Sequence, residues 1–135
     1  MNKLIKLTLV GILIQAMETV ASLYTLCSTG HPSNQEIYFT TMLLCSVLLY
    51  IIATNYLSFK KLLFFSLILS LSFSIFSEIE AIAREIGFFK LTYILTFGSV
   101  LYFTFAFIIA FIFNTSVISG IVLLKKAYSY IKTML

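Results

Sequence analysis

YILTFGSVLYFTFAFIIAFIFNTSVISGIVLL, residues 93–124, contains no charged side chain. As a helix at 1.5 Å per residue it would measure about 48 Å, against a hydrocarbon core of about 30 Å. The stretch therefore reads as one membrane span plus an excess. Asn114-Thr115-Ser116 is the natural place to divide it, leaving a span over 93–113. Beyond the division the pattern becomes amphipathic. Ile121, Leu124, Tyr128, Ile131 and Leu135 fall on one side at helical spacing, and Lys125, Ser129 and Lys132 on the other. Residues 117–135 are thus expected to form an interfacial helix, apolar face toward lipid.

The rest of the chain follows the same logic. Of its 135 residues, 61% are hydrophobic and 10% charged, where soluble domains average about 25% charged. A small domain leaves a large share of its surface exposed, so water could not accommodate this composition. Three further segments are long and apolar enough to span: 4–27, 37–57 and 62–83. The connection between the first two, Ser28 to Glu36, is rich in turn formers. Ser58-Phe59-Lys60-Lys61 makes a tight turn, and Arg84 to Thr92 a loop of mixed charge. The expected fold is all-α: a single membrane domain over 1–135, built as a four-transmembrane-helix bundle with a C-terminal amphipathic interfacial helix.

Lysine and arginine positions orient it. Lys3, Lys6, Lys60, Lys61, Lys125, Lys126 and Lys132 lie on one side of this arrangement, and only Arg84 and Lys90 on the other. The richer side marks the cytoplasm, so both termini are expected there, in a multi-pass protein of the plasma membrane. The net charge of +4 comes from lysines that flank apolar runs, where they meet anionic headgroups; nucleic acid is not an expected partner. A cleaved signal peptide is the alternative for the N-terminus, with Lys3 and Lys6, the run Leu7–Ile14 and Thr19-Val20-Ala21 as its parts. Glu18 just before that cut, and the apolar run continuing to Cys27, favour a retained span. Leu26 stands before Cys27 where a lipoprotein signal wants a small residue.

Glu18 is the most informative residue. An ionised carboxylate at mid-membrane costs about 2.5–3.5 kcal/mol on insertion scales, so such acids are paired, protonated or functional. Counted from Lys6, Glu18 lies about 18 Å above the cytoplasmic boundary. Gly11, Gln15, Glu18 and Ser22 form one polar stripe on the first helix, and Ser66, Ser70, Ser74 and Glu78 a second on the third. Ser74, counted from Leu62, also lies about 18 Å up. The two stripes are expected to face each other, with serine hydroxyls donating to Glu18. Glu18, Gln15, Ser70 and Ser74 make a candidate proton or substrate site; helix packing through small residues is the competing reading.

Glu78, Glu80, Arg84 and Glu85 form an outer charge cluster, with a Glu80–Arg84 salt bridge expected from their spacing. His31 and Glu36 could join it as cation ligands, but the set lacks fixed ligand spacing, and a solvated charge cluster is the preferred reading. No metal site is expected. Cys45 lies about 12 Å below Cys27 along the membrane normal, too far for a disulfide. The chain has no Cys-x-x-Cys, and its single histidine excludes bis-histidine haem ligation; no cofactor is expected. Asn55 and Asn114 come out at one depth, placed to bond each other or the break at Thr115. Met17 and Met42 read as packing residues, and the phenylalanines of the last span as lipid contacts.

With four short spans and an acid within the first, the layout resembles the small multidrug resistance transporters, a family that also carries a serine and a glycine after that helix, as Ser28 and Gly30 stand here. The resemblance covers the first helix. The family's glycine-rich third helix is replaced by serines, and its weak charge bias by a seven-to-two bias, which argues against an antiparallel dimer. Two functions follow as expectations. One is a non-enzymatic protein acting through intramembrane helix contacts, as an accessory subunit of a membrane complex or an immunity protein against a membrane-active peptide, with other membrane subunits or a second copy as partners. The other is a small proton-coupled transporter or channel that uses Glu18. An enzyme is not expected, because no nucleophile–base pair or metal cluster is visible.

Overall fold

A computed structural model describes residues 2–29, 35–86 and 97–134, with side chains over 2–25, 37–38, 40–83 and 99–134. All secondary structure in it is helical: α1 (Lys3–Thr29), α2 (Gln35–Tyr56), α3 (Phe59–Ile86) and α4 (Phe97–Met134). Asn2 caps α1, its Oδ1 accepting from the Leu4 amide at 3.3 Å and its carbonyl from Lys6, which satisfies donors that a helix start otherwise leaves orphaned. Ser58 begins α3 in the same way, its carbonyl accepting from Leu62 at 2.9 Å. The expected turn at Ser58–Lys61 is therefore shorter than its sequence suggests, with Phe59, Lys60 and Lys61 already helical.

Helix α4 corrects the reading of the C-terminal region. It runs unbroken for 38 residues, about 57 Å, straight through Asn114-Thr115-Ser116. Polar side chains weaken a helix when they compete for its backbone. Here Thr115 Oγ1 donates back to Phe111 O at 2.6 Å and Ile112 O at 3.0 Å, while the Asn114 amide is turned to another helix. Neither side chain takes an amide partner from the ladder, so the helix continues. Nor does a surface helix begin at residue 117, because Ile118 is 1% exposed and belongs to the core. Only from Lys126 to Met134 is every residue exposed.

The helices form a square in the cyclic order α1–α2–α4–α3, with α3 packed most extensively against α4 and α1. Helices α1 and α3 run parallel. Gly11 meets Leu69 and Ser22 meets Glu80, each pair 58 positions apart, against the 56 that separate Glu18 from Ser74. Gln15 reaches Leu69 O at a separation of 54, so the observed pairs bracket the expected register to within two residues, about 3 Å. Gly11 permits the close approach: a Cβ there would lie 2.6 Å from Leu69 Cδ2 and 3.1 Å from Leu49 Cδ2. The buried cluster centres on Leu49, Tyr50, Ala53, Phe65, Leu69 and Ile118. Tyr50 and Phe65 meet edge-to-face with centroids 5.8 Å apart, a favoured aromatic geometry.

Polar groups gather at one end of the square. Lys3 lies over the Tyr56 ring, 4.6 Å from its centroid, a cation–π contact. Lys125 reaches from α4 to the last turn of α2, donating to Ile51 O at 3.2 Å, Asn55 Oδ1 at 2.6 Å and Thr54 Oγ1. Ile51 O also accepts from Thr54 Oγ1 at 2.8 Å, and the positive charge sits near the end of α2 where the helix dipole is negative. Three helices are long and apolar enough to cross a membrane, over Lys3–Thr25, Phe59–Ala83 and Ser99–Met134; the corresponding stretch of α2 is shorter, Thr40–Tyr56.

Candidate functional site

The two expected stripes meet only in part. Gln15, 6% exposed, donates from Nε2 to Leu69 O of α3 at 3.1 Å, and Ser22 Oγ donates to Glu80 Oε2 at 3.3 Å. Ser70 and Ser74 are fully buried, yet their hydroxyls do not serve Glu18. Ser70 Oγ donates to Ser66 O and Ser74 Oγ to Ser70 O, both at 2.8 Å, within their own helix. Ser70 Oγ in turn accepts from Asn114 Nδ2 of α4 at 2.8 Å. The serines thus tie α3 to itself and to α4, and Asn114 pairs with Ser70 rather than with Asn55, which binds Lys125.

Glu18 is turned to a different neighbour. At about 100° per residue, a side chain three positions after Gln15 lies about 60° round the helix from it. That rotation carries Glu18 off the α3 seam and toward α2, the direction also taken by Thr25, whose hydroxyl shares a 3.0 Å hydrogen bond with Tyr38 of α2. Glu18 lines a cavity of about 320 Å³ between the two helices, with Met17, Ala21, Tyr38, Thr41 and Cys45. The expectation that serines donate to Glu18 is overturned by this rotation and by the hydroxyls' own backbone bonds.

A second cavity, of about 260 Å³, is shared by all four helices. Gln15 of α1, Met42 and Ser46 of α2, Phe73 of α3, and Ala110 and Asn114 of α4 line it. Met42 borders both cavities, which places it in the wall between them. The Gln15 amide orientation is settled by its bond to a carbonyl, which can only accept; its Oε1 is buried and without a hydrogen-bond partner. The hydroxyls of Thr19 and Ser66 and both carboxyl oxygens of Glu78 are likewise buried without one.

Of the outer charge cluster, Glu80 is bonded to Ser22 as above. The side chains of Arg84 and Glu85, and with them the expected salt bridge, lie outside the described residues, as do His31, the Glu36 and Cys27 side chains, Gly30 and most of the Arg84–Thr92 loop. Cys45 is a free thiol. No group of three or more His, Cys, Asp or Glu comes together among the described residues. Sequence reasoning missed the Lys125 contacts and the Asn114–Ser70 bond. Both depend on which helices are neighbours, and periodicity along one helix carries no signal of that.

By helix length and composition the chain is a helical membrane protein. No family model, curated protein or solved structure matches it.

Proposed function

We propose that this chain is a multi-pass membrane protein without enzymatic activity that works through helix contacts inside the bilayer, as an accessory subunit of a membrane complex or an immunity-type protein. The observation that carries the reading is where its polar groups go. Ser70, Ser74, Asn114 and the Gln15 amide nitrogen are all used to hold helices or their backbones. This is how buried polar groups act as packing elements in lipid. The outer faces, by contrast, offer large apolar side chains: on α1, Leu13, Met17 and Val20 are each more than half exposed, Met17 at 65%. A surface of that kind is suited to lipid and to other apolar helices.

In this reading all four helices cross the plasma membrane and both termini are cytoplasmic. Helix α2 as a whole has 22 residues, about 33 Å and enough for the hydrocarbon core. The gathering of Lys3 and Lys125 around the end of α2 supports the cytoplasmic assignment of that end. The exposed end of α4 beyond Lys125 rests among anionic headgroups, with Tyr128 and Ile131 toward lipid.

The test is purification of the full chain in mild detergent. A membrane protein recovered in fixed stoichiometry, and lost when Met17→Trp reshapes the α1 face, supports the reading. The second reading, a proton-coupled transporter or channel, is favoured by the cavity beside Glu18. It requires proton-dependent flux in liposomes by the chain alone, abolished by Glu18→Gln without loss of insertion; that result would replace the first reading.

A further inference from the structure

Met42 and Cys45 stand three residues apart on α2, so their side chains leave one face of that helix as neighbours. Both line the cavity of about 320 Å³ between α1 and α2, and Met17 lines it from α1. The chain has four methionines and two cysteines, so half of its sulfur-bearing residues meet at one space. Met42 is 6% exposed, and Cys45 is a half-buried free thiol. Thioether sulfur lies outside the histidine, cysteine and carboxylate set of ordinary metal centres. The spacing of residues along one helix gives no hint of a donor on the other.

We propose that this cavity is a site for one soft monovalent cation of the copper(I) class, held by the sulfurs of Met17, Met42 and Cys45. Donor chemistry carries the assignment. Thiolate and thioether ligands select copper(I), whereas magnesium and calcium take oxygen. Calcium needs about six to eight oxygen ligands; these walls offer the Glu18 carboxylate and the hydroxyls of Tyr38 and Thr41. Structural zinc takes about four ligands from cysteine, histidine and carboxylate, and the cavity supplies one cysteine and one carboxylate. Charge fits as well. The bond from metal to sulfur forms as the Cys45 S–H bond breaks, the proton goes to the surrounding buffer, and no electron moves. A monovalent ion thus replaces a proton one for one, and occupancy leaves the net charge of an apolar region unchanged. The movement needed is small. Met17 stands at the open side, 65% exposed, and its unbranched thioether turns about three bonds, so it can fold over an ion without displacing α1. The proposal is independent of what the outer faces of the bundle contact.

The test uses the full chain in dodecyl maltoside micelles and chloride-free buffer, with the methionine ε-methyl groups labelled with carbon-13. The probe is silver(I), a soft monovalent ion that needs no reductant. One equivalent is expected to shift the methyl resonances of Met17 and Met42, to leave those of Met1 and Met134 in place, and to release one proton per ion. Loss of a group that merely orients a metal ligand costs about 10–100-fold in affinity. Cys45→Ser should therefore weaken silver binding at least about 100-fold, and Met42→Leu or Met17→Leu about tenfold with volume nearly conserved. Cys27→Ser should leave binding intact, and zinc(II) at equal concentration should not displace silver. Unshifted Met17 and Met42 methyls would overturn the proposal, because the ion would then be held by a thiol alone. That readout uses the unsubstituted chain, so it decides even where a variant does not fold. Unchanged affinity in both leucine variants would also overturn it, as would displacement by zinc or loss of binding in Cys27→Ser.

Discussion

Replacing Gln15 with methionine should stabilise the protein, although it deletes an interhelical hydrogen bond. The loss comes first: the bond from Nε2 to Leu69 O at 3.1 Å is of a type that averages about 0.6 kcal/mol in membrane helices and reaches about 1.7. Leu69 O is mid-helix in α3 and keeps its own backbone partner, so nothing is orphaned on that side. The gain is removal of Oε1, a buried acceptor without a partner, whose desolvation costs about 1–3 kcal/mol. Methionine has the same unbranched reach and adapts to irregular space. The difference favours the variant by about 1 kcal/mol, roughly a fivefold shift in the folding equilibrium. Reversible unfolding in mixed micelles by added dodecyl sulfate, followed by helical circular dichroism, reads it as a higher midpoint at unchanged slope. A destabilisation of 1 kcal/mol or more would refute the reasoning, because Oε1 would then have to be engaged by something that methionine cannot replace.

Two other substitutions probe the interhelical contacts. Lys125→Met should cost about 1 kcal/mol, by removing a charge from the carbonyl end of α2, whereas Lys126→Met, on the exposed side, should change nothing measurable; the same unfolding assay compares them. Ser74→Ala should shift stability by no more than about 0.5 kcal/mol, because its hydroxyl only bonds back along its own helix. In the transport reading the same change would lower flux, so a liposome assay on this variant separates a packing serine from a conducting one.

Periodicity and length made most of the fold legible. Four helices, the tight turn before α3, and the parallel pairing of α1 with α3 to within two residues all follow from apolar run lengths and the 3.6-residue repeat. The end-on clustering of lysines was legible too, because charges avoid hydrocarbon regardless of how helices pack. Rotation about each helix axis was harder to read. A stripe stepping by three and four residues is about 60° wide. That was enough to place Gln15 on the α3 seam and Glu18 off it, and nothing in a single helix says which edge of its stripe a neighbour will take. The division of α4 failed for another reason. Asn114, Thr115 and Ser116 look like a break when only their propensities are counted, but the amide had a partner on α3 and the threonine one on its own backbone.

The placement of Gln15 inside and Glu18 at the margin has an energetic logic. A neutral amide in the core with one group satisfied carries about 1–3 kcal/mol for the other. A carboxylate there would need several donors or a counter-charge, and the shared cavity is lined by no charged group, only Gln15, Asn114, Ser46 and apolar side chains. The sequence therefore draws the eye to its charged residue, while the groove shared by all four helices is furnished with uncharged ones.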